Sequence, residues 1–545
     1  MMSNHDLDET TCLGTVISGS LTRGVEVKLD ASVSVEDIAV GRYVAIEGEK
    51  RRFFGMITDV SLEAIDPKAM FTLPDISDPF IAQVIAGTTI YGKLRVLPML
   101  TIGGDATSIL EGPQPVKTVP THFSEVKLAS QRDVELVFGA EDDKRFSVGT
   151  PLDMETKVCL DVSKFVERSN GVFGKSGTGK TFLTRLLLVG MLQKQAAVSL
   201  VFDMHSEYGW EGRSEKGYKV KGLKQLFPSK VAVFALDEES SRWRKVSTDF
   251  VVRIGYDEIE PEDIDLLRQT LNLTEASTQA VYQLARELGD RKWLETVLNL
   301  EEDDSKQLIS KLNIHDSTYR NLRRGLENLR RFPFLVPHAQ DNSVRRILEY
   351  LDRGINVVLE FGRFDDFTAY ILVANLLSRR IYAQYREKAE KAMGGDVATS
   401  RPLVITIEEA HRFLNPEVSA RTIFGRIARE MRKYSVTLLV IDQRPSGIDD
   451  EVMSQLGTKI TCLLDDERDV DSVLTGVAGK SELKSVLSRL ETKQQALIFG
   501  HAVPMPVVIK TREYGSAESY KELGFLEAAE LKRQTEKEID DLWPT

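Results

Sequence analysis

Residues 174–181 read Gly-Lys-Ser-Gly-Thr-Gly-Lys-Thr, which is the complete G-x-x-x-x-G-K-[ST] pattern of a phosphate-binding loop. Its glycines allow backbone N–H groups to close around phosphates. Lys180 can reach the β- and γ-phosphates of a nucleotide, and the hydroxyl of Thr181 can bind Mg²⁺. The pattern predicts ATP and Mg²⁺ as cofactors, with contacts from Gly174, Lys175, Ser176, Gly177, Thr178, Gly179, Lys180, Thr181 and Phe182.

The loop requires a strand before it and a helix after it. Residues 170–173 can end a short buried strand, and residues 182–189 have the pattern of an apolar helix. Strand, loop and helix thus follow in the order that a phosphate loop needs. This setting disfavours the alternative, a glycine-rich turn that matches the pattern by chance.

A second group of residues has the chemistry to complete a hydrolytic site. An apolar run at residues 403–407 ends at Glu408 and Glu409, at the strand end where open α/β sheets bind ligands. We predict that Glu408 holds Mg²⁺ and that Glu409 polarises the attacking water. Asp is the usual residue at the first position, so the extra methylene of Glu408 leaves the metal geometry open. The alternative is a pair of solvated acids that cap a helix beginning near Ala410.

Two further apolar runs also end in polar residues. Residues 198–202 are followed by Asp203, and residues 436–441 are followed by Asp442 and Gln443. Strands that alternate with helical stretches predict a doubly wound, mostly parallel sheet with its working loops on one edge. Gln443 is then expected beside the γ-phosphate, as a sensor or water-orienting group. Whether Asp203 belongs to the site or only caps a turn stays open at this point.

These motifs occur in the order found in one known family. Together with the phosphate loop, the chain resembles the HerA branch of the HerA/FtsK DNA-translocating ATPases at residues 203–208, 407–411, 426–434 and 442–446. Its front end looks like the small β-barrel of that family, the HAS-barrel, at residues 13–17, 24–28, 43–46 and 54–60. Its tail looks like the closing strands of the family, at residues 495–504 and 507–510. The implied fold is an α/β P-loop NTPase of RecA-like type, with an N-terminal β-barrel and a helical insertion.

The resemblance implies an ATP hydrolase that forms a ring, usually a hexamer. Such a ring translocates double-stranded DNA as a helicase, often with a partner nuclease of NurA type in DNA end processing or repair. By this resemblance Lys180 and Thr181 contact the nucleotide and Mg²⁺, Glu409 acts on the water and Gln443 is the sensor.

Arginine side chains are expected to contribute as well, because a guanidinium stabilises the spread negative charge of a phosphoryl-transfer transition state. In ring ATPases such an arginine commonly comes from the neighbouring subunit. Arg168 aligns with a family arginine near the nucleotide. Arg426, Arg429 and Arg432 share one side of a predicted helix, and the sequence leaves open which of them reaches a neighbour. A solvated basic face is the alternative.

The chain divides into five predicted segments. They are an N-terminal β-barrel with a linker, the first part of the ATPase core, a helical insertion, the second part of the core with the closing strands, and a C-terminal helical brace, at residues 1–150, 151–255, 256–340, 341–512 and 513–545. In the insertion, helical spacing predicts that Leu322, Leu326 and Leu329 belong to the core. Residues 516–543 are predicted to form an amphipathic helix that braces another subunit.

The composition is that of an ordinary globular protein, with 42% hydrophobic and 28% charged residues. Because no apolar run reaches membrane-spanning length and the N-terminus is too polar for a secretion signal, we expect a cytoplasmic protein with no membrane partner. The net charge of −12 argues only weakly against DNA binding, since a pore needs positive charge only near the phosphates. Basic runs after Asp203 and at residues 242–245 are candidates, although solvated loops explain such runs more often.

Three classes of function remain open. The first is the ring-forming DNA translocase, which would grip DNA through phosphates without reading sequence. The second is an ATPase subunit that gates a partner effector in defence against foreign DNA. The third is a slow nucleotide switch that binds a protein partner, which the pair of acids and Gln443 disfavour.

Overall fold

The computed structural model describes residues 12–64, 90–213, 219–394, 401–430, 433–477 and 479–525. Contacts within the chain define two units. Unit 1 consists of residues 1–183 and 441–512, and unit 2 consists of residues 184–440 and 513–545. The boundaries of the five predicted segments stay a prediction.

Unit 1 begins with a closed barrel of antiparallel strands. These are β1 (Cys12–Ser20), β2 (Gly24–Leu29), β3 (Tyr43–Glu47), β4 (Arg51–Ala64), β5 (Ile90–Gly103), β6 (Gln114–Pro115) and β7 (Glu125–Leu128), with helices α1 (Ala106–Glu111) and α2 (Gln131–Phe138). The strand order is β2-β1-β7-β3-β4-β5-β6, and β2 also pairs with β5, so that six strands close on themselves. The barrel that the family resemblance implies is confirmed, with strands at residues 13–17, 24–28, 43–46 and 54–60.

One barrel turn requires a glycine. Gly24 follows the turn between β1 and β2 with a φ of +75°, and a Cβ there would lie 2.4 Å from the carbonyl oxygen of Val96. Only glycine accepts both the backbone conformation and this close approach.

The chain continues through β8 (Arg145–Thr150), β9 (Val158–Asp161), α3 (Val162–Val166), β10 (Asn170–Phe173) and α4 (Lys180–Lys194). Strand β10 and helix α4 flank the phosphate loop as the sequence predicts. All four residues of β10 are buried, and the one polar side chain among them, that of Asn170, is hydrogen-bonded.

Unit 2 contains a sheet that is mostly parallel. Its strands are β11 (Val198–Asp203), β12 (Gly212–Arg213), β13 (Lys219–Val220), β14 (Val231–Ala235), β15 (Phe250–Val251), β16 (Ile254–Gly255), β17 (Leu335–Val336), β18 (Asn356–Glu360), β19 (Leu403–Glu408) and β20 (Val436–Asp442). The sheet order is β15-β14-β18-β11-β19-β20, and the pairs from β15 to β19 are parallel. Residues of β11, β14, β18 and β19 are buried throughout, as in sheets covered on both faces.

The helices of unit 2 are α5 (Leu223–Leu226), α6 (Glu238–Arg244), α7 (Pro261–Leu266), α8 (Glu275–Leu288), α9 (Trp293–Asn299), α10 (Glu302–Lys311), α11 (Asp316–Glu327), α12 (Ser343–Asp352), α13 (Phe367–Met393), α14 (His411–Leu414) and α15 (Ile423–Glu430). Short 3₁₀ turns lie at Tyr256–Glu258 and Asn328–Arg331. In the described ranges no helix, α13 included, is both long enough and apolar enough to cross a membrane.

Strand β14 was absent from the predicted strands, although it is a run of five buried residues. It pairs in parallel with β18 between Val231↔Asn356 and Ala235↔Glu360. Residues 231–235 lie in the predicted first part of the ATPase core, ahead of the helical insertion, but no strand was predicted there. Pairing partners more than a hundred residues away cannot be read from such a short run.

The helical insertion has its own core. Pro261 occupies the first turn of α7, where its missing N–H costs nothing. Trp293 is fully buried, and its indole N–H donates to the carbonyl oxygen of Ile259 at 3.1 Å. The predicted burial of the leucines is confirmed, since the exposed fraction is 0% for Leu322, Leu326 and Leu329. The pairing of β16 with β17 brings the two ends of the insertion together.

The chain ends with α16 (Asp450–Gln455), β21 (Thr458–Thr461), α17 (Glu467–Val473), α18 (Lys480–Leu487), β22 (Gln495–Gly500), β23 (Val507–Thr511) and α19 (Ala517–Glu522). Within unit 1 the sheet order is β10-β21-β22-β23-β8-β9. The β10–β21 pair is parallel and the remaining pairs are antiparallel. The predicted closing strands are therefore confirmed as β22 and β23.

The barrel is tied to this sheet within unit 1. The hydroxyl of Tyr43 accepts a hydrogen bond from the N–H of Val508 at 2.7 Å. The hydroxyl of Ser485, on α18, donates to the carbonyl oxygen of Thr58 in β4 at 2.8 Å.

The described part of the C-terminal tail differs from its prediction. Residues 513–525 contain only the short helix α19, and they pack on their own chain instead of forming a long helix. Tyr514 donates to the carbonyl oxygen of Lys221 at 2.8 Å, and the hydroxyl of Tyr520 accepts from the N–H of Lys221 at 2.8 Å. Phe525 packs edge-on against Phe227 at 5.0 Å between ring centroids. The rest of the predicted brace, residues 526–543, lies outside the described residues.

Asn170 gives a test of the unit 1 sheet. Its side-chain amide donates to the carbonyl oxygens of Phe165 and Arg168 at 2.5 and 2.7 Å, and its oxygen accepts from the N–H of Thr458 at 3.0 Å. Asn170→Ala should lower the free energy of unfolding by about 3 kcal/mol, because it leaves buried backbone groups unsatisfied. Urea unfolding followed by circular dichroism measures this loss. Ser130→Ala, which removes a helix cap in the same unit, should cost about 1 kcal/mol; equal losses would contradict this reading.

Candidate functional site

The phosphate loop adopts the backbone conformation that its glycines permit. Gly177 and Gly179 have φ of +78° and +94°, in the region that side chains with a Cβ rarely adopt. Lys180 is the first residue of α4, so the N-terminus of this helix points its N–H groups towards the loop. The ammonium group of Lys180 donates to the carbonyl oxygen of Lys175 at 2.8 Å, across the loop. Thr181 and Phe182 follow in the first turn of α4 and are half-buried.

The segment after β21 supports the loop from one side. The N–H of Lys175 donates to the carbonyl oxygen of Leu463 at 3.0 Å, and its ammonium group pairs with Asp465 at 2.9 Å. Cys462 is buried beside the loop, and a Cβ on Gly174 would lie 2.8 Å from its Cβ. Burial raises the pKa of the Cys462 thiol to about 11, which keeps it neutral. No motif in residues 462–465 predicts this support from the sequence.

Three carboxylates end neighbouring strands in unit 2. Asp203 closes β11, Glu360 closes β18 and Glu408 closes β19. Asp203 lies opposite Glu360 in the parallel ladder. The exposed fractions of Asp203, Glu360 and Glu408 are 0%, 0% and 8%, so each needs partners in place of water.

Asp203 anchors the turn that follows it. Its carboxylate accepts from the backbone N–H groups of Glu207, Tyr208 and Gly209 at 2.7, 2.8 and 3.3 Å. The capping role that the sequence left open for Asp203 is therefore confirmed. Burial raises the pKa of Asp203 in spite of these bonds. The neighbouring His205 is exposed.

Glu408 is held by two tyrosines. The hydroxyl of Tyr208 donates to its Oε1 at 2.7 Å. The hydroxyl of Tyr370 accepts from the N–H of Glu408 at 3.0 Å and donates to its carbonyl oxygen at 3.2 Å. Burial, together with the nearby charge of Asp203, raises the pKa of Glu408 from 4.5 to about 8. Both tyrosines were missed as site residues, although residues 203–208 were quoted for the family resemblance.

Glu408 has the donor atom that an Mg²⁺ carboxylate needs. Its Oε2 is buried and has no hydrogen-bond partner among the described residues. A buried carboxyl oxygen that lacks a partner fits a cation or a water bound to one, and Mg²⁺ prefers oxygen ligands and retained waters. A nearby cation would also favour the ionised form of this carboxyl.

Glu409 follows directly after β19 and differs from Glu408 in its backbone and its exposure. Its φ is +49°, an uncommon left-handed conformation for a residue with a side chain, and its side chain is 35% exposed. The Nδ1 of His411 lies 3.7 Å from its Oε2. Glu409 can therefore meet solvent, as a residue that polarises water must, whereas Glu408 cannot.

Glu360 is the third buried acid and was not predicted as a site residue. It forms an ion pair with Arg244. Burial, with a contribution from Asp203, raises the pKa of Glu360 from 4.5 to about 7. The available signal was a charged residue inside the apolar run of β18.

The remaining predicted residues lie at separate places. Gln443 is exposed directly after β20. Arg168 lies before β10, at the end opposite the phosphate loop, and the four residues of β10 span about 13 Å. Arg426 is exposed on α15, and Arg429 is half-buried and donates to the hydroxyl of Ser419 at 3.3 Å. Arg432 lies outside the described residues.

Four of the basic residues proposed for DNA already have acidic partners. The pairs are Lys219–Glu211, Lys224–Asp249, Arg242–Glu238 and Arg244–Glu360. The ammonium group of Lys221 lies over the ring of Tyr520. The side chain of Arg213 and all of Lys216 lie outside the described part of the chain. These pairs favour the solvated-loop interpretation for this surface.

Comparisons with known proteins agree with the motifs. A family model described as "Helicase HerA, central domain" matches residues 146–381, and a HAS barrel domain model matches residues 13–105. The chain is 24% identical over 509 residues to a DNA double-strand break repair helicase HerA of Sulfolobus acidocaldarius, which covers 92% of this chain and 94% of that protein. It is 25% identical over 418 residues to the protein of the same name from Pyrococcus furiosus, covering 70% and 73%.

Among solved structures, VirB4 of Thermoanaerobacter pseudethanolicus aligns with a TM-score of 0.45 and 14% identity, over 70% of this chain and 100% of that one. The bacterial conjugative coupling protein TrwB aligns with a TM-score of 0.46 and 12% identity, over 72% of this chain and 94% of that one.

Glu360 predicts how stability depends on pH. The folded chain keeps the proton of this carboxyl up to about pH 7, whereas the unfolded chain releases it near pH 4.5. The stability from this group is thus complete below pH 4.5 and is lost as the pH rises to about 7. The glutamine in Glu360→Gln is neutral at every pH, so the variant lacks this loss. Between pH 4.5 and about pH 7, its free energy of unfolding should therefore decrease less than that of the wild type, by a difference of roughly 1–3 kcal/mol.

Urea unfolding followed by tryptophan fluorescence measures this difference. Trp210, Trp243 and Trp293 belong to unit 2, and the sequence of unit 1 contains no tryptophan. Glu239→Gln, at an acid whose side chain is 64% exposed, is the control and should follow the wild type. An equally steep pH dependence in Glu360→Gln would show that this carboxyl is ionised in the folded protein.

Proposed function

The chain belongs to the HerA family of P-loop ATPases, and from this premise we propose that it is a ring-forming ATPase that translocates double-stranded DNA. The observation that carries the proposal is the phosphate loop, whose left-handed glycines and following helix have the conformation that binds a nucleotide. The names of the relatives support the choice of DNA as the substrate.

Nucleotide binding is assigned to the loop. The backbone N–H groups of residues 174–179 and the N-terminus of α4 would surround the phosphates, and Lys180 would exchange the carbonyl oxygen of Lys175 for a phosphate oxygen. Bound Mg²⁺ neutralises the charge that develops on the phosphates. Thr181 and Glu408 are the residues that would hold it, Glu408 through the Oε2 described above.

Water activation is assigned to Glu409. Its partly exposed carboxylate accepts a proton from the attacking water, a role that the buried and hydrogen-bonded Glu408 cannot fill. The exposed amide of Gln443 would orient this water or sense the γ-phosphate. The left-handed backbone of Glu409 supports the assignment, since such strain concentrates at functional positions.

The ring is proposed to be a hexamer in which an arginine acts on the nucleotide of the neighbouring subunit. Arg426 is exposed and Arg429 is half-buried, so both can rearrange at an interface. Arg168 would have to act across an interface as well, since β10 separates it from the loop of its own chain. A guanidinium that arrives from a neighbour makes hydrolysis depend on assembly.

The proposed substrate and partner follow from the family. The ring would hold double-stranded DNA by phosphate contacts and would work with a nuclease of NurA type in DNA end processing, as the repair names of the relatives suggest. Because many basic side chains have acidic partners in the chain, DNA binding should be weak and strongly dependent on salt.

The central experiment measures ATP hydrolysis by the purified protein with and without linear double-stranded DNA, at low and moderate salt. We expect stimulation by DNA that falls as salt rises. Glu409→Gln should bind ATP and lose about 100-fold or more of the hydrolysis rate, because water activation is removed. Lys180→Ala should lose both hydrolysis and nucleotide affinity, which binding of a fluorescent ATP analogue reports.

The outcomes separate the remaining functions. Hydrolysis that ignores DNA would favour an ATPase that gates a partner effector, and rapid hydrolysis by Glu409→Gln would refute the role of this residue. Nucleotide binding with negligible turnover in all conditions would favour the slow switch.

Mixed rings test the arginine. If Arg429 acts on the neighbouring subunit, mixing Arg429→Ala with Glu409→Gln protein should restore part of the activity that each lacks, because some interfaces combine an intact arginine with an intact Glu409. ATP hydrolysis of the mixture is compared with the sum of the separate variants. Arg426→Ala in place of Arg429→Ala is the matched comparison on the same helix. Equal rates for the Arg429→Ala mixture and the sum, in rings proven to contain both variants, would exclude Arg429.

A further inference from the structure

The position of Glu408 raises a geometric problem. Glutamate has one more rotatable bond than the aspartate usual at this position, so its carboxylate has more orientations and loses more side-chain entropy when it is fixed. A cation held through a carboxylate needs that carboxylate in one orientation. Some part of unit 2 must therefore hold the longer side chain.

Tyr208 provides this hold. Its hydroxyl donates to Oε1 of Glu408 at 2.7 Å, and the exposed fraction of Tyr208 is 0%, so water does not compete for the bond. Because one oxygen is engaged, rotation of the carboxylate is restricted. The other oxygen, Oε2, has no hydrogen-bond partner among the described residues.

The backbone of Tyr208 is itself held by the carboxylate of Asp203. Asp203 accepts the N–H of Tyr208 at 2.8 Å, together with those of Glu207 and Gly209. This turn begins where β11 ends, and β11 pairs with β19, the strand that ends at Glu408. The turn and its target are thus carried by adjacent strands, which gives the hydroxyl a rigid base.

We propose that Tyr208 is a positioning residue that fixes the Glu408 carboxylate by engaging Oε1 and leaving Oε2 for the water shell of a divalent cation. The proposal rests on the assignment of Glu408 to Mg²⁺ under the proposed function. It explains how a glutamate can hold the cation at a position where aspartate is usual. The side chain is longer by one methylene, and the hydroxyl of Tyr208 fixes its carboxylate end. Tyr370, which binds the backbone of Glu408, fixes the strand end but not the carboxylate.

The direct test is Tyr208→Phe, which keeps the ring and removes the hydroxyl. Mn²⁺ binding is measured by electron paramagnetic resonance in the presence of a non-hydrolysable ATP analogue, and binding of the analogue is also measured without metal. Loss of a group that orients a metal ligand weakens metal affinity by about 10-fold or more. We expect that loss for Mn²⁺, the same shift in the Mg²⁺ concentration for half-maximal ATP hydrolysis, and unchanged binding of the analogue without metal.

Two further variants separate positioning from folding. Tyr514→Phe removes the hydroxyl of another buried tyrosine of unit 2, which donates to the carbonyl oxygen of Lys221 at 2.8 Å, and should leave Mn²⁺ binding unchanged. Glu408→Asp withdraws the carboxylate from Tyr208. Adding Tyr208→Phe to Glu408→Asp should then cause little further loss of Mn²⁺ affinity, because the two residues act as one unit.

An unchanged Mn²⁺ affinity in Tyr208→Phe would overturn the proposal, as would additive losses in the double variant. An equal loss in Tyr514→Phe would also overturn it, by showing a general effect on packing. The metal measurement does not require turnover. If the wild type hydrolyses no ATP, the proposed function fails while the Mn²⁺ affinities still decide whether Tyr208 positions Glu408.

Discussion

Burial of three carboxyl groups at adjacent strand ends is the constraint on which unit 2 depends. A carboxylate removed from water is costly unless polar groups replace its hydration. Each acid meets this requirement differently. Asp203 takes three backbone N–H groups, Glu360 takes the guanidinium of Arg244, and Glu408 takes the hydroxyl of Tyr208. The three acids therefore constrain the conformation of the segments that supply their partners. These segments are the turn after β11, the end of α6 and the aromatic residues around β19.

The aromatic residues extend this constraint beyond the strand ends. Tyr370, which binds the backbone of Glu408, packs edge-on against Phe413 with centroids 5.1 Å apart, and Phe413 packs in the same way against Phe424 at 4.9 Å. Phe424 belongs to α15, the helix that carries Arg426 and Arg429. Packed rings have few alternative arrangements. A shift of this helix would thus be felt at the acidic strand end.

Local patterns and long-range contacts differ in how far the sequence predicts them. The strands β11 and β19 were predicted because each is an apolar run that ends at polar residues. Strand β10 was predicted from its place before the phosphate loop, and the loop was predicted because its residues are contiguous. Strand β14 was missed since its partner β18 lies more than a hundred residues away. The Tyr208–Glu408 contact spans 200 residues, and no periodicity reports it. The roles of Glu409, Gln443 and the arginines remain predictions.

The two motifs therefore have different tolerance to sequence change. The phosphate loop acts through backbone groups and two adjacent side chains, so a short fixed spacing is enough to build it where a strand meets a helix. The acidic strand end acts through side chains that depend on β11, β18, β19, α6 and α13 together. If Tyr208 positions Glu408 as proposed, a glutamate at the end of β19 depends on the tyrosine that fixes its longer side chain. Where a related chain carries aspartate at this position, the hydroxyl of the tyrosine has no such task, and a phenylalanine there would be compatible with the same chemistry.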